Sequence, residues 1–185
     1  MEIGEPPKAK EILLLLAAGV FVSASLIMPG LPRAAKLFLP ERHPWRKYNQ
    51  RKLKQIIKRF HKAELISTSE KDGEVILKLT DKGKEKVLKY KIDNLKIKKP
   101  KVWDRKWRLV IFDIPNSKKV ARELFRGKLK QLGFYKLQES VFLFPFECFD
   151  EIEFLRQTFG VQNHVEILQV EKFESEEFYQ SKFGL

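Results

Sequence analysis

The chain has 185 residues, a length that fits one large domain or two small ones. Hydrophobic residues make up 43% of it and charged residues 33%, which excludes a long disordered, collagen-like or low-complexity chain. The single cysteine, Cys148, cannot form an internal disulfide, and one cysteine with three scattered histidines cannot supply a dedicated zinc site.

The formal net charge of +13 lies almost entirely in the first half of the chain. Residues 1–100 hold 23 Lys and Arg against 11 Asp and Glu, a net charge of +12. Residues 101–185 hold 14 against 13, a net charge of +1. A basic module joined to a nearly neutral one indicates a polyanionic partner, either nucleic acid or an anionic membrane.

The segment from Ile12 to Met28 is almost uniformly apolar and ends at Pro29 and Gly30. It is at the lower length limit of a transmembrane helix, and its flanking residues also resemble those of a secretory signal. A third interpretation is a first helix buried on all sides in a small helical domain. We favour this third interpretation, because the basic segment that follows needs an apolar surface to pack against, and we expect no membrane partner.

From Asn49 the sequence predicts an amphipathic helix. Its apolar residues recur at helical spacing, and basic and polar residues fall on the opposite face. Residues 42–62 hold nine Lys and Arg, counting Arg42 and Lys62 themselves, and the first acidic residue after Glu41 is Glu64. Most basic helix faces are simply solvated, but such faces usually mix charges of both signs, because like charges weaken a helix. A face of one sign therefore indicates a partner.

The order of the predicted elements up to about Tyr90 is that of a winged helix-turn-helix. Residues 31–48 contain three prolines and predict a short helix and a turn, and the basic helix follows them. Two β-rich runs around Asp72 and Gly73 then predict a hairpin, and Thr80-Asp81 caps a further helix. In this fold the third helix enters the major groove of DNA. The hairpin tip is acidic, so we place the DNA contact on the helix.

The second half predicts a ferredoxin-like α+β domain. A strand from Trp107 to Ile114 precedes a helix that ends at Gly133, and residues 134–146 are rich in β-forming residues. A helix over residues 150–159 and a strand over residues 164–173 complete a βαββαβ order. We therefore expect a winged-helix domain over residues 1–92, a linker over 93–106 and a ferredoxin-like domain over 107–185.

Two motifs in the second half resemble known families. The strand W-R-L-V-I-F-D-I-P (107–115), with G-F-Y-K-L-Q-E-S-V-F (133–142), is similar to the small CRISPR adaptation proteins of the Cas2 family, whose ferredoxin-like fold has an aspartate closing the first strand. In this chain a predicted winged helix and the motif W-D-R-K-W-R (103–108) come before these two motifs. With those features included, the chain more closely resembles PaaX-type repressors of phenylacetate degradation. Those repressors carry a further C-terminal domain, which we expect this chain to lack.

Asp113 has two interpretations. A carboxylate at a strand end can bind Mg²⁺, and a symmetric dimer can bring two such groups together. Because this motif holds one carboxylate and no adjacent histidine, we favour a role in capping the next helix or closing its turn. Cys148, in a phenylalanine-rich stretch, is expected to be a small buried residue.

These observations predict a cytoplasmic, homodimeric DNA-binding regulator of the PaaX type, which binds double-stranded DNA without a cofactor and acts as a repressor rather than an enzyme. The residues expected to contact DNA are Arg46, Lys47, Arg51, Lys52, Lys54, Gln55, Lys58, Arg59 and Lys62. The alternative is a metal-dependent nuclease or CRISPR adaptation subunit that uses Asp113 and Mg²⁺. A membrane protein anchored by residues 12–28 is a third hypothesis.

Overall fold

A computed structural model describes residues 8–18, 48–71 and 74–185. The chain divides into two compact units, Met1–Asp93 and Asn94–Leu185. The predicted short helix and turn within residues 31–48 fall almost wholly outside the described residues, as does the apolar segment from residue 19 onward. The complete order of a winged helix is therefore not seen, although several of its predicted elements are.

The first unit contains three helices and a hairpin among the residues described. They are α1 (Ala9–Ala17), α2 (Gln50–Lys62), β1 (Ile66–Lys71), β2 (Glu74–Leu79) and α3 (Asp81–Asp93). The strands β1 and β2 pair in antiparallel register, with Ile66 opposite Leu79. The predicted basic helix, the hairpin and the helix that follows it are confirmed.

The core of the first unit is built on the apolar faces of these helices. Ile12 and Leu13 of α1 are almost fully buried, and they belong to one cluster with Leu53 and Ile57 of α2 and Val87 of α3. A first helix that packs in the core is confirmed, but α1 begins at Ala9 and is buried on one face only, since Ala17 is exposed, so burial on all sides is not seen in the part that the structure describes. Among the described residues, none of the helices combines the length and the apolar character needed to cross a bilayer.

A close contact joins the start of α3 to the turn that follows α2. The Thr80 hydroxyl accepts a hydrogen bond from the Gly83 N–H at 3.0 Å and donates one to the Glu64 carbonyl at 2.5 Å, which confirms the predicted cap. A Cβ atom added at Gly83 would lie 2.0 Å from the Leu65 carbonyl oxygen. Glycine is required there because the backbone of another segment occupies the position of a side chain.

The second unit is a four-stranded antiparallel sheet with helices. Its elements are β3 (Trp107–Phe112), α4 (Lys119–Gln131), β4 (Tyr135–Gln138), β5 (Val141–Phe144), α5 (Phe149–Thr158), β6 (Val165–Val170) and α6 (Glu176–Phe183). The strand order is β4-β5-β3-β6. This α+β arrangement is consistent with the predicted ferredoxin-like βαββαβ topology, in which the two central strands are the first and third of the motif.

One face of this sheet forms the core of the second unit. Val110 and Phe112 of β3 and Phe142 of β5 point to that face and pack with Phe125 of α4 and Ile152 of α5. Ring contacts reinforce the core, with Phe112 edge-on to Phe125 at 5.4 Å between ring centres. Cys148 is fully buried, as predicted, and burial raises the pKa of its thiol to about 12.

The structure corrects two features of the predicted second half. Strand β3 ends at Phe112 rather than Ile114, since the chain beyond Asp113 turns at Pro115, which has no N–H for the ladder. The last strand stops at Val170, and an unpredicted helix, α6, follows it. The Trp107 indole N–H donates to Glu176 at 3.1 Å, so this short helix depends on contacts with residues distant in sequence.

A buried arginine organises the start of the sheet. The Arg108 side chain is only 2% exposed, and its guanidinium donates to both oxygens of Asp104 at 2.9 and 2.6 Å and to Glu147 at 2.9 Å. It also donates to the carbonyls of Lys106 at 2.8 Å and Pro145 at 3.3 Å. The hydrogen bond from the guanidinium holds the pKa of the Asp104 carboxyl below its ordinary value.

The same network explains the W-D-R-K-W-R motif. The Trp103 indole N–H donates to the Pro145 carbonyl at 2.8 Å, and its ring meets Trp107 edge-on at 5.0 Å. Two tryptophans, an aspartate and an arginine therefore fasten the entering chain to the loop after β5. The segment 93–106, expected to be a linker, contains no helix or strand beyond the end of α3, but Leu95, Ile97 and Trp103 pack against the core of the second unit.

The close approach at Gly83 yields a stability prediction. Gly83→Ala must displace the backbone at Leu65, and we expect it to lower the free energy of unfolding by about 1–3 kcal/mol. Chemical or thermal unfolding followed by circular dichroism measures this change.

Gly127, in α4, provides the matched control. A Cβ atom there has no neighbour within 4 Å, so Gly127→Ala gains helix propensity and should stabilise the protein by about 0.5–1 kcal/mol. Equal effects of the two substitutions would contradict the packing described for Gly83.

Candidate nucleic-acid interface

The basic face of α2 is the strongest candidate for a binding surface. Its apolar residues Leu53, Ile56, Ile57 and Phe60 are buried. The predicted DNA-contacting residues on this helix lie away from them: Arg51, Lys52, Gln55, Lys58, Arg59 and Lys62 are exposed, and Lys54 is partly exposed. The other two predicted contacts, Arg46 and Lys47, lie outside the described residues.

Helical geometry divides the exposed side chains into a central row and two flanks. With 3.6 residues per turn, Arg51, Gln55, Lys58 and Lys62 share one line along the helix, opposite the buried Phe60. On one side of this row are Lys52 and Arg59, and on the other is Lys54. A helix lying in a groove presents such a central row to base edges and its flanks to the two sugar-phosphate walls.

The electrostatics of α2 are unbalanced. Within the described part of the chain, none of its lysines or arginines forms an ion pair, and no acidic residue lies in its first turn. Arg59 and Lys62 in the last turn interact favourably with the helix dipole, whereas Arg51 and Lys52 lie near its positive end. The Asn49 side chain, which accepts from the Lys52 N–H at 3.2 Å, caps this end.

The hairpin formed by β1 and β2 is less well defined as a part of this candidate interface. Ser67 and Thr68 of β1 are exposed. The structure does not describe the side chains at the acidic tip of the hairpin, which we predicted not to bind phosphate. Its role stays a prediction.

Asp113 lies at a cleft of about 510 Å³ at the end of β3. The cleft is lined also by Ser140, Asn163, His164 and Glu166. The Asp113 backbone N–H donates to the His164 carbonyl at 2.9 Å. The sequence pointed to Asp113 but not to Asn163 or Glu166, because these two residues are distant in the chain and come near Asp113 through the pairing of β3 with β6.

The expectation that Asp113 caps the next helix is wrong. The turn of 3-10 helix at Asn116–Lys118 begins after Pro115 and has no side-chain cap. In the described parts of the chain the Asp113 carboxylate has no hydrogen-bond or ion-pair partner. Among these residues no three His, Cys, Asp or Glu side chains are placed to share a metal ion, so binding of Mg²⁺ by Asp113 stays a hypothesis.

The family comparison concerns the second unit. Residues 100–181 match the PaaX protein central Cas2-like domain. This match supports a PaaX-type protein. It covers the W-D-R-K-W-R motif, the whole sheet and most of α6. Comparison with curated proteins gives no significant match.

The isolated carboxylate of Asp113 yields a prediction that separates a regulator from a nuclease. We expect Asp113→Asn to leave the free energy of unfolding within about 0.5 kcal/mol of the unmodified protein, because the substitution removes no hydrogen bond of this side chain. We also expect the unmodified protein not to cleave DNA in Mg²⁺ or Mn²⁺. Cleavage that requires metal and disappears in Asp113→Asn would establish the nuclease alternative.

Asp104→Asn is the matched control, since it makes the same chemical change at a carboxylate that has partners. It should cost about 1–2 kcal/mol near neutral pH, a moderate value because Asp104 is half-exposed. The pKa of Asp104 is lowered in the folded state, so its contribution is complete above the ordinary pKa of 3.8 and is lost as the pH falls through the lowered value. The difference between Asp104→Asn and the unmodified protein should therefore shrink in acid.

Proposed function

We propose that the protein is a DNA-binding transcriptional regulator, a homodimeric repressor similar to PaaX, and that it reads double-stranded DNA with α2. The observation that carries this proposal is the exposed face of α2, whose charges are all of one sign and lack ionic partners in the described chain. Such a face is destabilising in the free protein and is neutralised on a polyanion.

The neighbouring elements support DNA rather than another polyanion. A basic helix followed by a two-stranded hairpin and a further helix is the order found after the second helix of a winged helix-turn-helix. The apolar face of α2 is fixed in the core of its unit, so the basic face is presented as a rigid ridge. An α-helix of this width fits the major groove of B-form DNA.

The helical geometry assigns different roles to the basic residues. Arg51, Gln55 and Lys58 in the central row are proposed to face base edges, where Arg and Lys favour guanine and Gln favours adenine. Lys52 and Arg59 on one flank, Lys54 on the other and Lys62 at the end of α2 are proposed to contact phosphates, with Arg46 and Lys47 before the helix.

The second unit supports the proposed dimer. Leu109 and Ile111 of β3, with Val141 of β5 and Leu168 of β6, lie on the face of the sheet that points away from the core. That face also carries the buried Leu143 and the exposed Glu166, and the observation that supports a dimer is the accessibility of the four apolar side chains named first. Of those four, the first three are only partly buried and Leu168 is 45% exposed. A second copy covering these side chains would bury them. A dimer would bring two α2 helices to one DNA, and half-sites one helical turn, about 34 Å, apart are the spacing that such two-fold symmetric regulators bind.

Removal of flanking charges tests DNA binding. In the double variant Lys52→Ala/Arg59→Ala we expect weaker binding to any duplex and a salt slope, the slope of log K against log[salt], reduced by about 0.9 for each phosphate that is no longer neutralised. Fluorescence anisotropy with a mixed-sequence duplex over a range of salt concentrations measures both quantities.

Two control variants accompany this test. Lys119→Ala/Lys172→Ala removes the same charge from exposed positions of the second unit and should leave the slope unchanged. Gln55→Ala, which is neutral and in the central row, should relax sequence preference by about 1–3 kcal/mol at one base pair without changing the slope. Unchanged affinity in Lys52→Ala/Arg59→Ala would refute the α2 interface.

The proposed dimer is tested at the open face of the sheet. Leu168→Lys should convert a dimer to a monomer, because the ammonium group is solvated in the monomer and buried in the interface. Val120→Lys, at a 74% exposed position of α4, adds the same charge and should leave the dimer intact. Sedimentation equilibrium measures the two masses, and a dimer that persists in Leu168→Lys would exclude this face.

A further inference from the structure

Residues 95–101, the lysine arm, form a second strongly basic surface that α2 does not include. The arm reads L-K-I-K-K-P-K and contains no acidic residue. It belongs to the second unit and has neither helical nor strand structure. Its four lysines, Lys96, Lys98, Lys99 and Lys101, are all exposed.

The arm is held against the second unit instead of moving freely. Leu95 and Ile97 are partly buried against the core, and the lysines that alternate with them point to solvent. This alternation is the burial pattern of an extended chain lying on a surface. Pro100 restricts both its own backbone and that of Lys99, favouring the extended form.

The far end of the arm is fastened by the network around Arg108. Trp103 donates to the Pro145 carbonyl, and Asp104 receives the Arg108 guanidinium. Asp104 is the first acidic residue after the arm, and this pairing engages its carboxylate. The arm lysines form no ion pair with any residue that the structure describes. Four like charges are thus held close together without neutralisation, an arrangement that raises the energy of the free protein.

We infer that the lysine arm is a second DNA contact, which binds the phosphates of duplex DNA without reading its sequence. Lysine ammonium groups act as point charges toward phosphate, and an arm already ordered on the protein surface loses little conformational entropy on binding. This inference rests on the proposed function and adds to it a contribution of the second unit to affinity.

The composition of the arm favours duplex phosphate over other polyanions. Residues 95–101 include no aromatic side chain on which an unpaired base could stack, as single-strand binding surfaces have. They also form no amphipathic helix with exposed large apolar residues, the usual means of attaching to an anionic membrane.

The first experiment removes the four arm charges from the full chain. The variant with Lys96, Lys98, Lys99 and Lys101 all changed to Ala should bind a mixed-sequence duplex more weakly, with the salt slope reduced by about 0.9 for each phosphate that the arm neutralises. The matched control changes Lys119, Lys130, Lys172 and Lys182, exposed on the same unit, to Ala. The corresponding Lys→Arg variant of the arm should retain the slope. Equal losses of affinity in the arm variant and the control would overturn the inference, because only net charge would then matter.

The second experiment separates this inference from the proposed function. Lysine acetylation of the unmodified protein, with and without the duplex, is read at each lysine by mass spectrometry. Protection of both the arm and Lys52, Lys54 and Lys58 is the expected result. Protection of α2 alone overturns the inference and leaves the proposed function standing, whereas protection of the arm alone overturns the α2 interface and supports the inference. Protection of neither overturns both. A parallel reaction with phosphatidylserine vesicles tests a membrane partner, and protection of the arm by the vesicles but not by the duplex overturns the inference alone.

Discussion

The burial of one face of α2 is the constraint on which the first unit depends. A helix with a row of like charges is unstable alone, and here the apolar side chains Leu53, Ile57 and Phe60 offset the repulsion by packing with α1, the hairpin and α3. Gly83 allows α3 to approach the turn after α2 closely enough to complete this core. The packing that stabilises the helix also fixes the direction of its basic face, so stability and the proposed DNA contact have the same origin.

In the second unit, a buried ion-pair network attaches the segment before β3, which has no regular secondary structure, to the sheet. Arg108 is nearly inaccessible to water, and its charge is tolerable only because two carboxylates and two backbone carbonyls surround it. Those partners come from both the entering segment and the loop after β5. A buried arginine therefore sets the path of the chain before β3, and with it the position of the lysines just upstream.

Taken together, the two units distribute the positive charge in two ways. In α2 a rigid helix displays cations in rows suited to a groove, and in the second unit an extended segment displays them along a surface. Under the proposed function, the first arrangement would read base edges and the second would contact phosphates without reading sequence. The match of residues 100–181 to the PaaX central domain agrees with the proposed regulator, in which the second unit would add dimerisation to the DNA binding proposed for the first.

The sequence by itself determined the features that repeat locally. The spacing of Leu53, Ile56, Ile57 and Phe60 fixes which face of α2 is buried, and the β-rich runs around residues 72–73 fix the hairpin, because helix and strand periodicities are visible within a few residues. Only the tertiary structure decided the pairing of Arg108 with Glu147, the surroundings of the Asp113 carboxylate, the helix α6 and the packing of Leu95 and Ile97 beneath the arm lysines. Each of these depends on contacts between residues far apart in the chain, which no local pattern of hydrophobicity or charge encodes.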